Sequence, residues 1–158
     1  MKHFLCAMVL CTLLTGALQA KSGLPVPRFV SLKSDKINVR VGPGKRYPVL
    51  WVFTRRGLPV EITAEYDHWR KIRGPEGAEG WVHQSMLSGM RTVMVQEGES
   101  TLRKDKPLNA KPLAQLQTGI IAKVKKCSEE ACKVEVEGFK GWLSTAGLWG
   151  VKHTEASG

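Results

Sequence analysis

Beyond its first twenty residues the chain reads as a succession of short β segments. Ile37-Asn38-Val39-Arg40-Val41 alternates apolar and polar residues with the period of two that a half-buried strand requires. Gly42-Pro43-Gly44-Lys45-Arg46-Tyr47-Pro48 carries too many breakers for helix and predicts a loop. Val49 to Phe53 is an apolar β-type run that Arg55-Arg56-Gly57 ends. Val60-Glu61-Ile62 and His68 to Arg73 predict two strands around a Tyr66-Asp67 turn. Gly74 to Gly80 predicts a hairpin, and Gly80-Trp81-Val82 opens a closing strand. Five short strands in about 55 residues imply a small, strongly bent barrel or sandwich. Arg28 to Lys33 reads as an edge segment that follows a linker containing Pro25 and Pro27. No stretch keeps helical periodicity over three turns. Helix is expected only as single turns at Gln84-Ser85-Met86 and Ser144-Thr145-Ala146.

The pattern then recurs. Asn38-Val39-Arg40, Gly57, Lys71-Ile72 and Gly80-Trp81 are answered by Thr101-Leu102-Arg103, Gly119, Lys133-Val134 and Gly141-Trp142. The offsets are 63 from Arg40 to Arg103, 62 from Gly57 to Gly119 and from Ile72 to Val134, and 61 from Gly80 to Gly141. A drift of one residue at a time is what a duplicated fold with trimmed turns leaves behind. In the second copy Thr92 to Gln96, the segment around Leu102, Leu113 to Leu116, Ile120 to Val124, Cys132 to Val136 and Trp142-Leu143 predict strands. Asp105-Lys106-Pro107 predicts a turn. Lys133, Glu135 and Glu137 alternate with Cys132, Val134 and Val136, which puts charge in water and apolar side chains inward.

The first twenty residues differ from the rest. Lys2 precedes a run from Phe4 to Ala17 that is apolar apart from Thr12, Thr15 and Gly16. Leu18-Gln19-Ala20 then offers a small residue for cleavage before Lys21. This reads as a Sec-type signal peptide cleaved after Ala20, with an uncleaved anchor as the competing reading. The apolar run falls short of the roughly 20 residues that a spanning helix needs. The expected location is periplasmic or secreted, with no membrane span once the signal has gone. The net charge of +10 becomes +9 without Lys2. Residues 21–88 hold 12 basic and 6 acidic side chains and residues 89–158 hold 11 and 8, so the excess sits mainly on the first unit. That sign steers the chain toward polyanions and says nothing of the fold.

Cys6 and Cys11 leave with the signal, so Cys127 and Cys132 remain, separated by Ser128-Glu129-Glu130-Ala131. In an oxidising compartment such a pair flanking a polar turn predicts a cross-strand disulfide. Two thiolates with no neighbouring His or second pair are too few for a metal, so no metal or cofactor is expected.

The first copy resembles a bacterial SH3-like domain of envelope proteins. Asn38-Val39-Arg40 with Gly42-Pro43-Gly44, Tyr47-Pro48-Val49, Gly57, Val60, Trp69-Arg70-Lys71-Ile72 and Gly80-Trp81-Val82 carry the likeness. The second copy is similar to a divergent form through Leu102-Arg103, Gly119, the cysteine pair, Gly141-Trp142 and Leu148-Trp149-Gly150-Val151. It departs from it where Ala131 stands opposite Trp69, and it has no counterpart of Tyr47. The resemblance implies an all-β protein of two small SH3-like barrels in tandem after a signal helix. The expected divisions are a signal peptide over 1–20, a linker and edge segment over 21–34, a first domain over 35–88, a second over 89–151 and a polar tail over 152–158. It also implies non-catalytic modules that bind peptidoglycan, other envelope polymers or peptides.

For Gly80-Trp81 and Gly141-Trp142 two readings stand. An exposed indole stacks on a sugar or an extended peptide, or the glycine lets the strand bend while the ring plugs a small core. Tyr47, Tyr66 and Trp69 lie at loops and turns where side chains face outward, whereas Trp51 sits in an apolar run and reads as core. Arg40, Arg46, Arg55, Arg56, Arg70 and Arg73 suit an anionic peptide or phosphate-bearing glycan, since guanidinium pairs bidentately with such groups; a solvated surface is the competing reading. The expected ligand face therefore combines Arg40, Tyr47, Tyr66, Trp69, Arg73 and Trp81. His68 and His83 are expected at the surface, and no nucleophile–base pair, phosphate loop or dinucleotide fingerprint is present. The expected function is that of an exported binding or scaffolding protein, not an enzyme, built from two independently cored units. It would hold a peptidoglycan peptide or glycan. A protein–protein adaptor that docks a proline-rich or extended segment of an envelope enzyme is the alternative, and no specific nucleic-acid partner is expected.

Overall fold

The computed structural model describes residues 22–106 and 109–152, and the signal segment lies outside the described residues. The chain is all-β. Its strands are β1 (Arg28–Leu32), β2 (Ile37–Arg40), β3 (Val49–Phe53), β4 (Pro59–Tyr66), β5 (Trp69–Arg73), β6 (Glu79–His83) and β7 (Leu87–Ser88) in the first unit. They are followed by β8 (Thr92–Val95), β9 (Ser100–Arg103), β10 (Pro112–Leu116), β11 (Ile121–Cys127), β12 (Ala131–Val136), β13 (Phe139–Ser144) and β14 (Leu148–Trp149). Each half forms one sheet, in the orders β3-β2-β6-β5-β4-β1-β7 and β10-β9-β13-β12-β11-β8-β14. Adding seven to each label of the first sheet gives the second, so the duplication read from spacing is a duplication of topology.

A single 3-10 turn at Gln84–Met86 sits where one was expected. The second expected turn of helix, at Ser144-Thr145-Ala146, is instead the end of β13 and a bend, because Ser144 is paired with Ala131 on β12. The short strands β7 and β14 escaped the sequence reading, since two residues carry no periodicity.

Strand alternation builds both cores. Ile37, Val39, Val60, Ile62, Ile72 and Val82 fill the first; Val93, Val95, Leu102, Val134, Leu143 and Leu148 fill the second. The strands close on small residues. A Cβ on Gly80 would lie 2.4 Å from Val39 Cγ1, and one on Gly141 would lie 2.6 Å from the Arg103 carbonyl oxygen. Glycine is required at both places because two strands cross too closely for any side chain.

The two cores are not independent. All four residues of β8 are buried because the strand is packed on both faces. Val93 and Val95 enter the second core, while Met94 enters the first and Thr92 Oγ1 donates to the Gly57 carbonyl at 2.7 Å. Trp149 Nε1 donates to the Pro59 carbonyl at 2.8 Å and its ring meets Phe29 edge-on at 5.1 Å. Arg55 Nη2 donates to the Gly119 carbonyl at 2.6 Å and Gln96 Nε2 to the Pro75 carbonyl at 2.6 Å. Each unit has its own core as expected, but the two are not fully independent: an apolar strand at the start of the second copy serves both.

Candidate functional site

The outer face of β4, β5, β6 and β2 carries most of the side chains singled out in the sequence. Directly opposed residues of antiparallel strands share a face, so the register assembles rows. One row joins Tyr66, Trp69 and His83, the next Ala64, Lys71, Trp81 and Arg40, and the third Glu61, Arg73 and Glu79. On β5 and β6 the alternating positions Arg70, Ile72, Gly80 and Val82 are buried, which leaves Trp69, Lys71, Arg73, Trp81 and His83 outward.

This overturns one reading of the glycine–tryptophan pairs. Gly80 and Gly141 do face inward at the strand crossing, but Trp81 and Trp142 do not plug the cores. Each follows its glycine by one residue, and one step along a strand reverses the face. Trp51 is partly buried against the first core, as an apolar run suggested, and meets Phe53 edge-on at 6.0 Å.

The aromatic row stands openly. Tyr66 is 62% exposed, and Trp69 is half-buried with its ring edge-on to His83 at 5.5 Å. The His83 ring is held by Ser85, with Nδ1 2.7 Å from Oγ, and the His68 ring lies 6.1 Å from that of His83. Among the described residues no His, Cys, Asp or Glu group of three is arranged to hold a metal.

Tyr47 lies on the loop between β2 and β3, with its ring against Gly42, where a Cβ would meet it at 2.6 Å. Arg46 lies 5.0 Å over that ring and donates from Nη2 to the Tyr47 hydroxyl at 3.2 Å. That hydrogen bond, then the charge of the Tyr47 phenol, raises the Arg46 pKa above its ordinary value; Tyr66 adds in the same direction.

The arginines divide into three kinds. Arg40 Nη1 donates to the carbonyls of Lys45 at 3.2 Å and Tyr47 at 2.8 Å, so it holds the loop that presents Tyr47. Its counterpart Arg103 does the same through the Ala110 carbonyl at 2.9 Å. Arg73 is paired with Glu61 and its side chain remains 44% exposed. Arg70 is not part of the surface at all: it is buried, with Nη2 2.7 Å from Gln84 Oε1 and Nε 3.3 Å from Glu65 Oε1. Its alternation with Trp69 and Lys71 on β5 carried that signal in the sequence.

The second unit keeps the middle row and loses the others. Arg103, Trp142, Lys133 and Lys126 stand where Arg40, Trp81, Lys71 and Ala64 stand in the first. Lys126 Nζ lies 5.4 Å over the Trp142 ring, a cover that the methyl of Ala64 cannot supply for Trp81. Tyr66, Trp69 and His83 become Ser128, Ala131 and Ser144, while Glu61, Arg73 and Glu79 become Lys123, Glu135 and Lys140, with every charge reversed. The hydrogen bond from Lys125 and its charge, followed by Lys140 and Lys123, hold the Glu135 pKa below its ordinary value against a small opposing effect of burial.

Cys127 and Cys132 are bonded and directly opposed on β11 and β12, with Cα atoms 4.0 Å apart. At an offset of 62 they occupy the places of Glu65 and Arg70, which are opposed on β4 and β5 and joined as an ion pair. One copy closes this corner by charge and the other by a covalent bond.

Residues 33–89 and 97–150 each match the family described as bacterial SH3 domain. No curated protein matches the chain. Among solved structures it is matched with NlpC1 from Trichomonas vaginalis, at 11% identity and a TM-score of 0.39 over 89% of this chain and 52% of that one. NlpC2 from the same organism is matched at 11% identity and a TM-score of 0.38, over 84% of this chain and 51% of that one. The chain thus spans about half the length of these two proteins. With two matches that together span most of its length, each laid over one of the duplicated sheets, the chain belongs to the bacterial SH3 domain family.

Proposed function

We propose that the chain is an exported, non-catalytic binding protein of the cell envelope, periplasmic or secreted, and that the outer face of its first unit receives a peptidoglycan peptide or glycan. The observation that carries this reading is the asymmetry between copies. Both sheets close over an apolar core, yet one copy alone lines up Tyr66, Trp69 and His83 in a row on its outer face. The second copy also exposes Phe139, at 58%, but sets no aromatic rings side by side across three strands, and packing alone gives no reason for one copy to do so. Rings of this kind give contact area to a sugar face or an extended peptide. Tyr47 is presented by a loop that Arg40 holds and Arg46 caps, and Lys71 and Arg73, paired with Glu79 and Glu61, lie in the rows next to the aromatic one. Pull-down on purified cell-wall sacculi tests the reading. The chain should be retained, and Tyr66→Ala with Trp69→Ala should release it. Recovery no better than that of an unrelated basic protein would remove the proposal.

The alternative, an adaptor for an extended protein segment, has its own support in β3. That strand ends its sheet, paired on one side by β2, with Val49, Leu50 and Val52 exposed at 43%, 49% and 39%. An apolar edge of this kind accepts a further strand. Crosslinking in intact cells separates the two, since the adaptor requires one dominant protein partner and contacts mapped to β3.

A further inference from the structure

The duplication leaves one arginine without its partner. In the first unit Arg28, at the start of β1, donates from Nη2 to the buried Glu65 carboxylate at 2.6 Å. Sixty-three residues on, Arg91 stands just before β8, its carbonyl accepting from the Val124 amide at 2.9 Å as β8 joins β11. The counterpart of Glu65 is Cys127, which is consumed in the disulfide. Arg91 therefore meets no carboxylate among the described residues. Its Nη2 donates to the Gly150 carbonyl at 2.6 Å, its guanidinium lies 5.9 Å from the Phe29 ring, and its Nε–H is buried with no acceptor. Burial holds the Arg91 pKa below its ordinary value. A guanidinium in that state is stabilised by an anion.

The space beside it is shaped and charged for one. A cavity of about 700 Å3 opens there, with Val124 and Val151 on its walls and Lys125, Lys126 and Lys152 around it. Glu129 lies in the same lining, and Lys125 is held by Glu135 at 3.2 Å. Four cations against two carboxylates leave an excess of two positive charges. A single carboxylate supplies one negative charge, whereas a phosphate monoester supplies about two at neutral pH. The first unit has no such excess at this corner, because Glu65 stands between Arg28 and Arg70.

We propose that the cavity beside Arg91, rimmed by Lys125, Lys126 and Lys152, is a binding site for a phosphate group. It lies on the second unit, apart from the aromatic face of the first. Either side of the molecule can therefore fail its test without the other.

Amide NMR of the exported chain, titrated with inorganic phosphate and then with glycerol 3-phosphate, tests this. Saturable shifts are expected at Arg91, Val124 and Val151. Arg91→Met should abolish them. Should that variant fail to fold, Lys126→Gln with Lys152→Gln decides, and is expected to weaken binding about tenfold or more, since charge-assisted hydrogen bonds are being lost. Lys104→Gln with Lys106→Gln, on a distant exposed loop, should leave affinity unchanged. Vesicles of phosphatidylcholine with and without phosphatidylglycerol distinguish the source. Recruitment lost in the rim variant points to a lipid headgroup, and soluble binding alone points to a free phosphate ester. Shifts scattered over all surface lysines, equal loss in both double variants, or acetate binding as well as phosphate would overturn the proposal.

Discussion

Glu65 offers the sharpest test of how the first unit is held. Its carboxylate has no solvent exposure and accepts from the Ser22 amide at 2.9 Å, the Ser22 hydroxyl at 2.8 Å and Arg28 Nη2 at 2.6 Å, with Arg70 Nε at 3.3 Å. Burial alone would raise its pKa. The bonds from Ser22 and Arg28 and the charge of Arg70 outweigh it, so the group titrates below its ordinary range. Glu65→Gln preserves the shape, removes the charge and turns one acceptor into a donor facing donors. Breaking a buried pair by removing one partner costs about 3–5 kcal/mol. The Arg28 and Arg70 side chains keep 14% and 8% exposure and regain some hydration, so we expect about 2–3 kcal/mol, near the lower end of that range. For a protein of this size that corresponds to a fall in Tm of roughly 10 °C. A depressed folded-state pKa makes this contribution complete above the unfolded value of about 4.3 and lost as pH falls through the lower folded value. Thermal unfolding of both proteins followed by circular dichroism from neutral to acid pH measures it. The gap should be widest at pH 7 and close in the acid range below about pH 4. A gap under about 1 kcal/mol at pH 7, or one independent of pH, would refute the assignment of Glu65 as a buried ionised hub.

Three further outcomes follow from the same geometry. Gly80→Ala and Gly141→Ala should each cost about 1–3 kcal/mol in denaturant unfolding, with Gly141→Ala the worse because its Cβ meets a backbone oxygen at 2.6 Å. Gly89→Ala, where the added methyl meets nothing within 4 Å, should be neutral in the same experiment. Reducing Cys127–Cys132 closes no long loop, so the chain-entropy loss is about 2 kcal/mol at most, read as a modest Tm shift under dithiothreitol. Glu65→Cys with Arg70→Cys should form a second disulfide without raising Tm, since Arg28 then lacks its carboxylate; mass shift after alkylation reports the bond.

Much of the fold was legible because its signals are local. Period-two alternation at Ile37 to Val41 and Cys132 to Val136, and breaker-rich loops between them, mark strands wherever one face is buried. The offsets of 61 to 63 marked the duplication, and a polar turn between two cysteines marked the bridge. What escaped depends on which elements meet across the fold. For Trp81 the sequence leaves an outward ring and a core plug both open, and only the strand crossing tells that Gly80 takes the inner position and pushes the ring outward. Arg70 was counted with the surface arginines, although its carboxylate lies across a hairpin at Glu65. Met94 shares a strand with Val93 and Val95 and serves the other core, which no periodicity within one copy reveals. The aromatic candidates fared differently because register alone brings Tyr66 opposite Trp69 and Trp69 opposite His83.

The most direct measurement is amide NMR of the chain from Ser22 onward titrated with soluble peptidoglycan fragments, alongside Trp69→Ala. Shifts are predicted to gather around Tyr47, Tyr66, Trp69 and Trp81, to saturate, and to vanish in the variant while the spectrum of the second unit stays in place. Absence of shifts, or shifts confined to the β3 edge or to the face around Trp142, would contradict the account.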